Sequence, residues 1–127
     1  MNIPENLKYS TDHEWLRVEG DMGFVGITEF ASTELGDIVF IEVDSIDEGD
    51  MGEDDVFGSI EAVKTVSDLL MPVSGVVKEF NNVLEDNPET INSDPYGEGW
   101  IVKIQINNPA EIENLMDAAA YAEFIQE

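Results

Sequence analysis

Four lysines in 127 residues are few enough to weigh one at a time, and Lys64 has the least ordinary surroundings. The run Val56-Phe57-Gly58-Ser59-Ile60-Glu61-Ala62-Val63-Lys64-Thr65-Val66-Ser67-Asp68 reads as a strand reaching a tip, and Pro72-Val73-Ser74-Gly75-Val76-Val77 as a strand coming back. Val56…Gly58…Ile60 and Val73…Gly75…Val77 carry the same pattern, as two similar hairpin arms supporting an exposed tip would. On these residues alone Lys64 reads first as a surface lysine solvating an ordinary hairpin, and only second as an attachment point.

The other chemistry-bearing residues form no catalytic set. His13 is the only histidine, so neither a His-based metal cluster nor a Ser/His/Asp arrangement can be assembled, and a structural role is expected for it. The absence of cysteine removes disulfides, thiolate catalysis and thiolate metal sites together, so any redox chemistry must come from a cofactor. The acidic run from Asp44 to Asp55 fails the EF-hand pattern: Ile46 follows Asp44, Gly49 follows Asp47 and Gly52 follows Asp50 where a ligand is needed. It reads as a solvated turn. Asp94-Pro95-Tyr96-Gly97-Glu98-Gly99 is a tight turn before Trp100, and no Gly-rich phosphate loop opens a helix anywhere.

The elements that must hold the tip are mainly β. Trp15 to Val18, Met22 to Ile27, Ile38 to Val43, Val56 to Val63, Val73 to Phe80 and Trp100 to Ile106 are β-rich runs separated by turns, the spacing of a sandwich or barrel rather than of βαβ units. Thr28 to Leu35 is a two-turn helix with Thr28 as N-cap and Gly36 as terminator. In the tail, Asn108-Pro109-Ala110-Glu111 reads as a capping Asn, a Pro at the first helical position and a Glu reaching back. Asp117 caps a last helix, Ala118 to Gln126, with Tyr121, Phe124 and Ile125 on one face. No linker or repeat interrupts the chain, so residues 1–127 are expected to form one domain whose C-terminal part, from about 109, is helical.

Charge narrows the partners. Five Lys plus Arg against 29 Asp plus Glu leave a formal net charge of −24, which excludes the basic patch that nucleic acid requires and disfavours anionic membrane surfaces. No apolar run approaches the roughly 20 residues of a spanning helix. Hydrophobic residues make up 43% of the chain, too many for a solvated acidic tail, so a folded protein is expected. The start Met1-Asn2-Ile3-Pro4-Glu5-Asn6 carries no basic or apolar targeting pattern, and the cytoplasm is the expected location.

Seven ordered segments resemble the glycine cleavage system H-protein family: Tyr9-Ser10-Thr11-Asp12-His13-Glu14-Trp15, Gly26-Ile27-Thr28, Leu35-Gly36-Asp37-Ile38-Val39-Phe40, Glu61-Ala62-Val63-Lys64, Ser67-Asp68, Pro72-Val73-Ser74-Gly75, and Ile91-Asn92-Ser93-Asp94-Pro95-Tyr96-Gly97-Glu98-Gly99-Trp100. The resemblance spans residues 7 to about 125 in order. It implies a lipoyl/biotinyl-type barrel-sandwich hybrid of short antiparallel strands, with a short internal helix and C-terminal helices. It also implies that Lys64 is the lipoylated lysine, joined through its ε-nitrogen as an amide, and that Glu14 and Asp68 line the pocket of the arm. The chain would then be a carrier with no catalytic residue and no metal of its own. Its partners would be the pyridoxal-phosphate glycine decarboxylase, the tetrahydrofolate-dependent aminomethyltransferase, dihydrolipoamide dehydrogenase, and the lipoate ligase or lipoyl transferase that attaches the arm. A monomer is expected.

Two small departures from the family pattern touch ligase recognition and packing beside the arm: Ala62 stands where Ser is commoner, and Leu70-Met71 where an aromatic and a small residue are usual. Valine before Lys64 and threonine after it differ from the Met-Lys-Met of biotin carriers and the Asp-Lys-Ala of 2-oxo acid dehydrogenase lipoyl domains. The competing readings are a biotin or lipoyl carrier of another complex, and an unmodified acidic module that docks to basic partners. On the carrier reading the charge also steers weak, fast encounters with larger enzymes, although a saline habitat explains its size equally well.

Overall fold

The structure is a computed structural model that describes residues 2–44 and 46–126. Met1, Ser45 and Glu127 fall outside it, and with them the first residue of the N-terminal reading, one residue of the acidic turn and the last residue of the tail. In chain order the elements are β1 (Lys8–Tyr9), β2 (Glu14–Glu19), β3 (Met22–Ile27), α1 (Glu29–Leu35), β4 (Ile38–Val43), β5 (Val56–Ala62), β6 (Val66–Leu70), β7 (Gly75–Phe80), α2 (Val83–Asp86), α3 (Thr90–Ser93), β8 (Val102–Ile106), a 3-10 segment Pro109–Asn114 and α4 (Ala118–Phe124). Among the described residues the strands form two antiparallel sheets, one ordered β1-β2-β3-β8-β7 and one ordered β4-β5-β6. This is the mainly β, barrel-sandwich arrangement expected from the strand spacing and the family resemblance.

Both sheets bury their inner faces in one core. Leu16, Val25, Val77 and Ile104 come from the larger sheet and Ile41, Phe57, Ile60 and Leu69 from the smaller. Trp15 points the other way from Leu16, as successive strand residues must, and joins Leu7, Tyr9 and Tyr121 in a second cluster. There Tyr9 stacks on Tyr121 of α4 at 4.7 Å between ring centroids.

The returning arm of the Lys64 hairpin differs from the sequence reading. The strand that comes back is β6, Val66–Leu70, paired with β5, whereas the Val73 run enters the other sheet as β7, beginning at Gly75 and pairing with β8. The echo between Val56…Gly58…Ile60 and Val73…Gly75…Val77 nonetheless has a physical meaning. A Cβ on Gly58 would collide with the carbonyl oxygen of Glu42, and one on Gly75 with that of Gln105, so each glycine lets a neighbouring strand approach at the matching place in its own sheet. Gly58→Ala is expected to push β4 off β5 and cost roughly 1–3 kcal/mol, towards the upper end because the obstacle is backbone. A denaturation midpoint unchanged from the parent would contradict this.

The tail also differs. Residues 109–114 form a 3-10 segment that Asn108 does not cap through its side chain. Glu111 reaches instead to Ser74, accepting from its amide at 2.6 Å and from its hydroxyl at 2.9 Å. Asp117 does cap α4, accepting from the Ala120 amide at 2.8 Å. The acidic run after β4 is more than a solvated turn, since Asp47 and Met51 donate backbone hydrogen bonds to Val77 and Gly75 of β7.

Candidate functional site

Val63 and Lys64 occupy the apex of the β5–β6 hairpin. The Ala62 amide donates to the Thr65 carbonyl at 2.7 Å and closes the turn beneath them. Val63 is 75% exposed and Lys64 is exposed beside it. The apex rests on the corner between α1 and β4: the Val63 amide donates to Asp37 O at 3.0 Å, and the lysine side chain runs over Gly36. A Cβ at Gly36 would lie 3.4 Å from Lys64 Cε, while φ of +82° suits the glycine that ends α1.

That corner is held by a residue to which the sequence reading assigned no role. Asn92 of α3 donates through Nδ2 to Gly36 O at 2.9 Å and to Ser32 Oγ at 3.1 Å, and accepts through Oδ1 from the Ile38 amide at 3.0 Å. One amide side chain thus satisfies the end of α1 and the start of β4 together. An Asn within a four-residue helix is a weak signal by itself; only the partners reveal its use.

Beside the hairpin a cleft of about 310 Å³ opens between the loop before β2, α1 and the inner edge of β6. Ile27, Leu35, Ile60 and Leu69 supply apolar walls, and Asp12, Glu14, Glu34 and Asp68 supply carboxylates. Asp68 and Leu69 of the cleft lie on β6, which leads away from the Lys64 turn, and Leu35 of its wall adjoins Gly36 beneath the lysine, so the apex and the cleft are neighbours.

Glu14 is the unusual member. It is only 3% exposed; Oε2 accepts from the Leu70 amide of β6 at 2.8 Å, and Oε1 is buried with no hydrogen-bond partner. Burial pushes its carboxyl up to about 8; the Leu70 amide pulls against this rise, while Asp12 and Asp54 add to it. Asp68 lies exposed on β6 at the margin of the same cleft. The structure therefore brings Glu14 and Asp68 together in two different roles, one a buried carboxyl and the other a rim charge. Glu34 and Asp12 also face the cleft, and their place there depends on the packing of α1 and of the loop before β2.

His13 lies next to the cleft, and its contacts are structural. Its Nδ1 is 2.9 Å from the Tyr121 hydroxyl, and its ring packs between Phe30 and Phe124 at 4.9 and 5.6 Å. Burial lowers its pKa below the ordinary imidazole value, with Asp12 and Glu34 opposing. The Tyr121 hydroxyl also meets Thr28 Oγ1 at 2.7 Å, and Thr28 caps α1 by accepting from the Ala31 amide. α4 thereby ties the start of α1 to the residue that precedes Glu14. Tyr121→Phe is expected to lower stability by about 1–2 kcal/mol, because the buried Thr28 hydroxyl and the half-buried His13 ring each lose a bond; a chemical denaturation curve matching that of the parent would rule this out. Among the described residues no cluster of three or more His, Cys, Asp or Glu is arranged to hold a metal ion, and no helix is long and apolar enough to cross a membrane.

Residues 7–127 match the family model described as glycine cleavage H-protein. The chain is 56% identical over 126 residues to the glycine cleavage system H protein of Symbiobacterium thermophilum, covering 99% of this chain and 98% of that one. It is 55% identical over 124 residues to the corresponding protein of Salinibacter ruber, covering 97% and 98%. The crystal structure of a glycine cleavage system H protein from Mycobacterium marinum superimposes with a TM-score of 0.82 at 36% identity, covering 95% of this chain and 97% of that one.

Proposed function

This chain belongs to the glycine cleavage H-protein family, and from that premise we propose that it is the lipoyl carrier of the glycine cleavage system, with lipoate joined to Lys64 Nζ as an amide. The observation that carries the reading is the pairing of an exposed apex lysine with a nearby acidic cleft, in which a buried carboxylate oxygen has no partner. A long arm fastened at the apex has somewhere to lie, and a cationic group at its end has an oxygen to meet.

When bound, lipoate supplies a dithiolane that exchanges with thiols and carries an aminomethyl group and an electron pair. The chain's own residues do the rest. Lys64 fastens the arm, and the Val63–Asp37 hydrogen bond with Gly36 beneath holds its base. Ile27, Leu35, Ile60 and Leu69 give the arm apolar walls to lie against. Glu14 Oε1 would accept from the ammonium of the cargo, whose charge would favour loss of the Glu14 proton to solvent and leave a paired anion. Asp68 adds a second carboxylate at the rim.

On this reading the chain is a carrier and not itself a catalyst. The loaded arm serves glycine decarboxylase, the tetrahydrofolate-dependent aminomethyltransferase and dihydrolipoamide dehydrogenase in turn, after a lipoate ligase or lipoyl transferase has attached it. The location is cytoplasmic and the chain acts as a monomer. Intact-mass measurement after expression in a lipoate-competent host tests the assignment: one lipoyl increment is expected, and a biotinyl increment or an unmodified chain would overturn it.

A further inference from the structure

The outer face of the three-stranded sheet carries an aromatic side chain that plain strand alternation would have buried. In β4, Ile38 pairs with Ala62 and Phe40 pairs with Glu61, so Val39 is an extra residue with no partner opposite. Without it Phe40 and Glu42 would turn inward with Ile38. The bulge resets the phase: Ile38 and Ile41 both reach the core, while Val39 and Phe40 stand out at 45% and 54% exposure.

Phe40, Glu61 and Val66 lie directly opposite one another in successive strands, so they form one row across the outer face, ending two residues from Lys64. On its other side Phe40 borders an open groove of about 640 Å³ between β4, β7 and α2. The groove is rimmed by Glu42, Glu79 and Glu85, and its lysine, Lys78, is already paired with Asp47 at 3.2 Å. The face therefore mixes the exposed apolar side chains Val39, Phe40 and Val66 with the carboxylates of Glu61 and the groove rim, and it adjoins the apex.

We propose that this face, from Val66 through Phe40 into the groove, is where one of the three enzymes served by the loaded Lys64 arm docks, and that this enzyme presents an apolar side chain set among lysines or arginines. The carrier reading supplies the identity of the partner, and the surface supplies its chemistry. A second copy of the chain would bring Glu42, Glu61, Glu79 and Glu85 against their own counterparts, and an anionic membrane would meet the same repulsion. A basic protein surface is the occupant these charges favour, with the exposed aromatic as its anchor.

Lys64→Arg protein, which bears no arm, serves as the probe. It is titrated calorimetrically into purified glycine decarboxylase, aminomethyltransferase and dihydrolipoamide dehydrogenase. Binding to at least one is expected, weakened about tenfold or more when Phe40→Ser is added, as for the loss of an aromatic hot spot. Glu79→Lys with Glu85→Lys is expected to weaken the same complex, and this pair carries the test should the Phe40 variant fail to fold. No binding to any of the three, or affinities indifferent to both sets of changes, would overturn the proposal. So would a parent dimer on size exclusion that Phe40→Ser dissociates. Because the probe has no arm, docking that depends on Phe40 in a chain whose Lys64 takes no lipoyl group would leave the face standing and remove the carrier reading.

Discussion

Lys64→Arg is expected to abolish the lipoyl adduct completely while leaving the fold untouched. Arginine keeps the charge and length of the side chain, but its guanidinium stays protonated and offers no free amine to acylate. The apex itself asks little of residue 64, which is exposed and extends over a glycine that leaves room for it. The change in stability should therefore fall within about 0.5 kcal/mol, as for surface substitutions generally. The other three lysines are control positions: Lys8 lies in β1, Lys78 is paired with Asp47, and Lys103 sits 5.4 Å above the Phe24 ring. Intact mass and a thermal melt decide the matter. A lipoyl increment persisting on the variant would move the attachment elsewhere, and a collapsed melt would mean that Lys64 has a structural part its surroundings do not suggest.

Glu14→Gln is expected to separate two things that the wild-type carboxyl combines. In stability the sign follows from the raised folded-state pKa of about 8 against an ordinary 4.5. The folded chain holds this proton more tightly than the unfolded chain. The contribution is thus fully favourable below about pH 4.5, declines as the pH rises through about 8, and is flat beyond. Glutamine can still accept from the Leu70 amide but never ionises, so the variant should lose this decline and exceed the parent in stability at pH 8. In cargo retention the effect runs the other way. A charge-assisted hydrogen bond is worth about 1.5–3 kcal/mol, so the variant should release formaldehyde and ammonia from the loaded protein on the order of 10- to 100-fold faster. Equal release rates would remove Glu14 from the clamp, and an unchanged pH profile of stability would show that the buried carboxyl does not carry the raised pKa.

What the sequence made legible was local. Thr28 and Gly36 bound α1 because a side-chain cap and a positive φ are requirements met within a few residues. The Met22–Ile27 and Ile38–Val43 runs became β3 and β4 because β-rich segments between turn residues are short-range signals. The exposed tip at Val63-Lys64 was readable for the same reason. What escaped depends on neighbours far along the chain. Val66–Leu70 is a strand despite its Ser67-Asp68 centre because β5 pairs with it. Glu14 is desolvated because β6 closes over it, and nothing in a Glu beside a Trp announces that. Phe40 faces out because of a bulge that alternating hydrophobicity hides, and Glu111 abandons its own helix for Ser74, 37 residues away.

The contrast between the apex and the cleft has a consequence in chain entropy. The turn that displays Lys64 closes over only a few residues, whereas the Glu14–Leu70 bond that seals the cleft closes over 56. By the logarithmic scaling of loop closure, joining the distant pair costs about 2 kcal/mol more than joining the near one. Partial loosening of the molecule therefore opens the shelter before it disturbs the handle. A strained or ageing copy would still present its lysine for modification after it had ceased to guard what the arm carries, so retention of cargo, and not attachment of the arm, is the sensitive gauge of an intact fold.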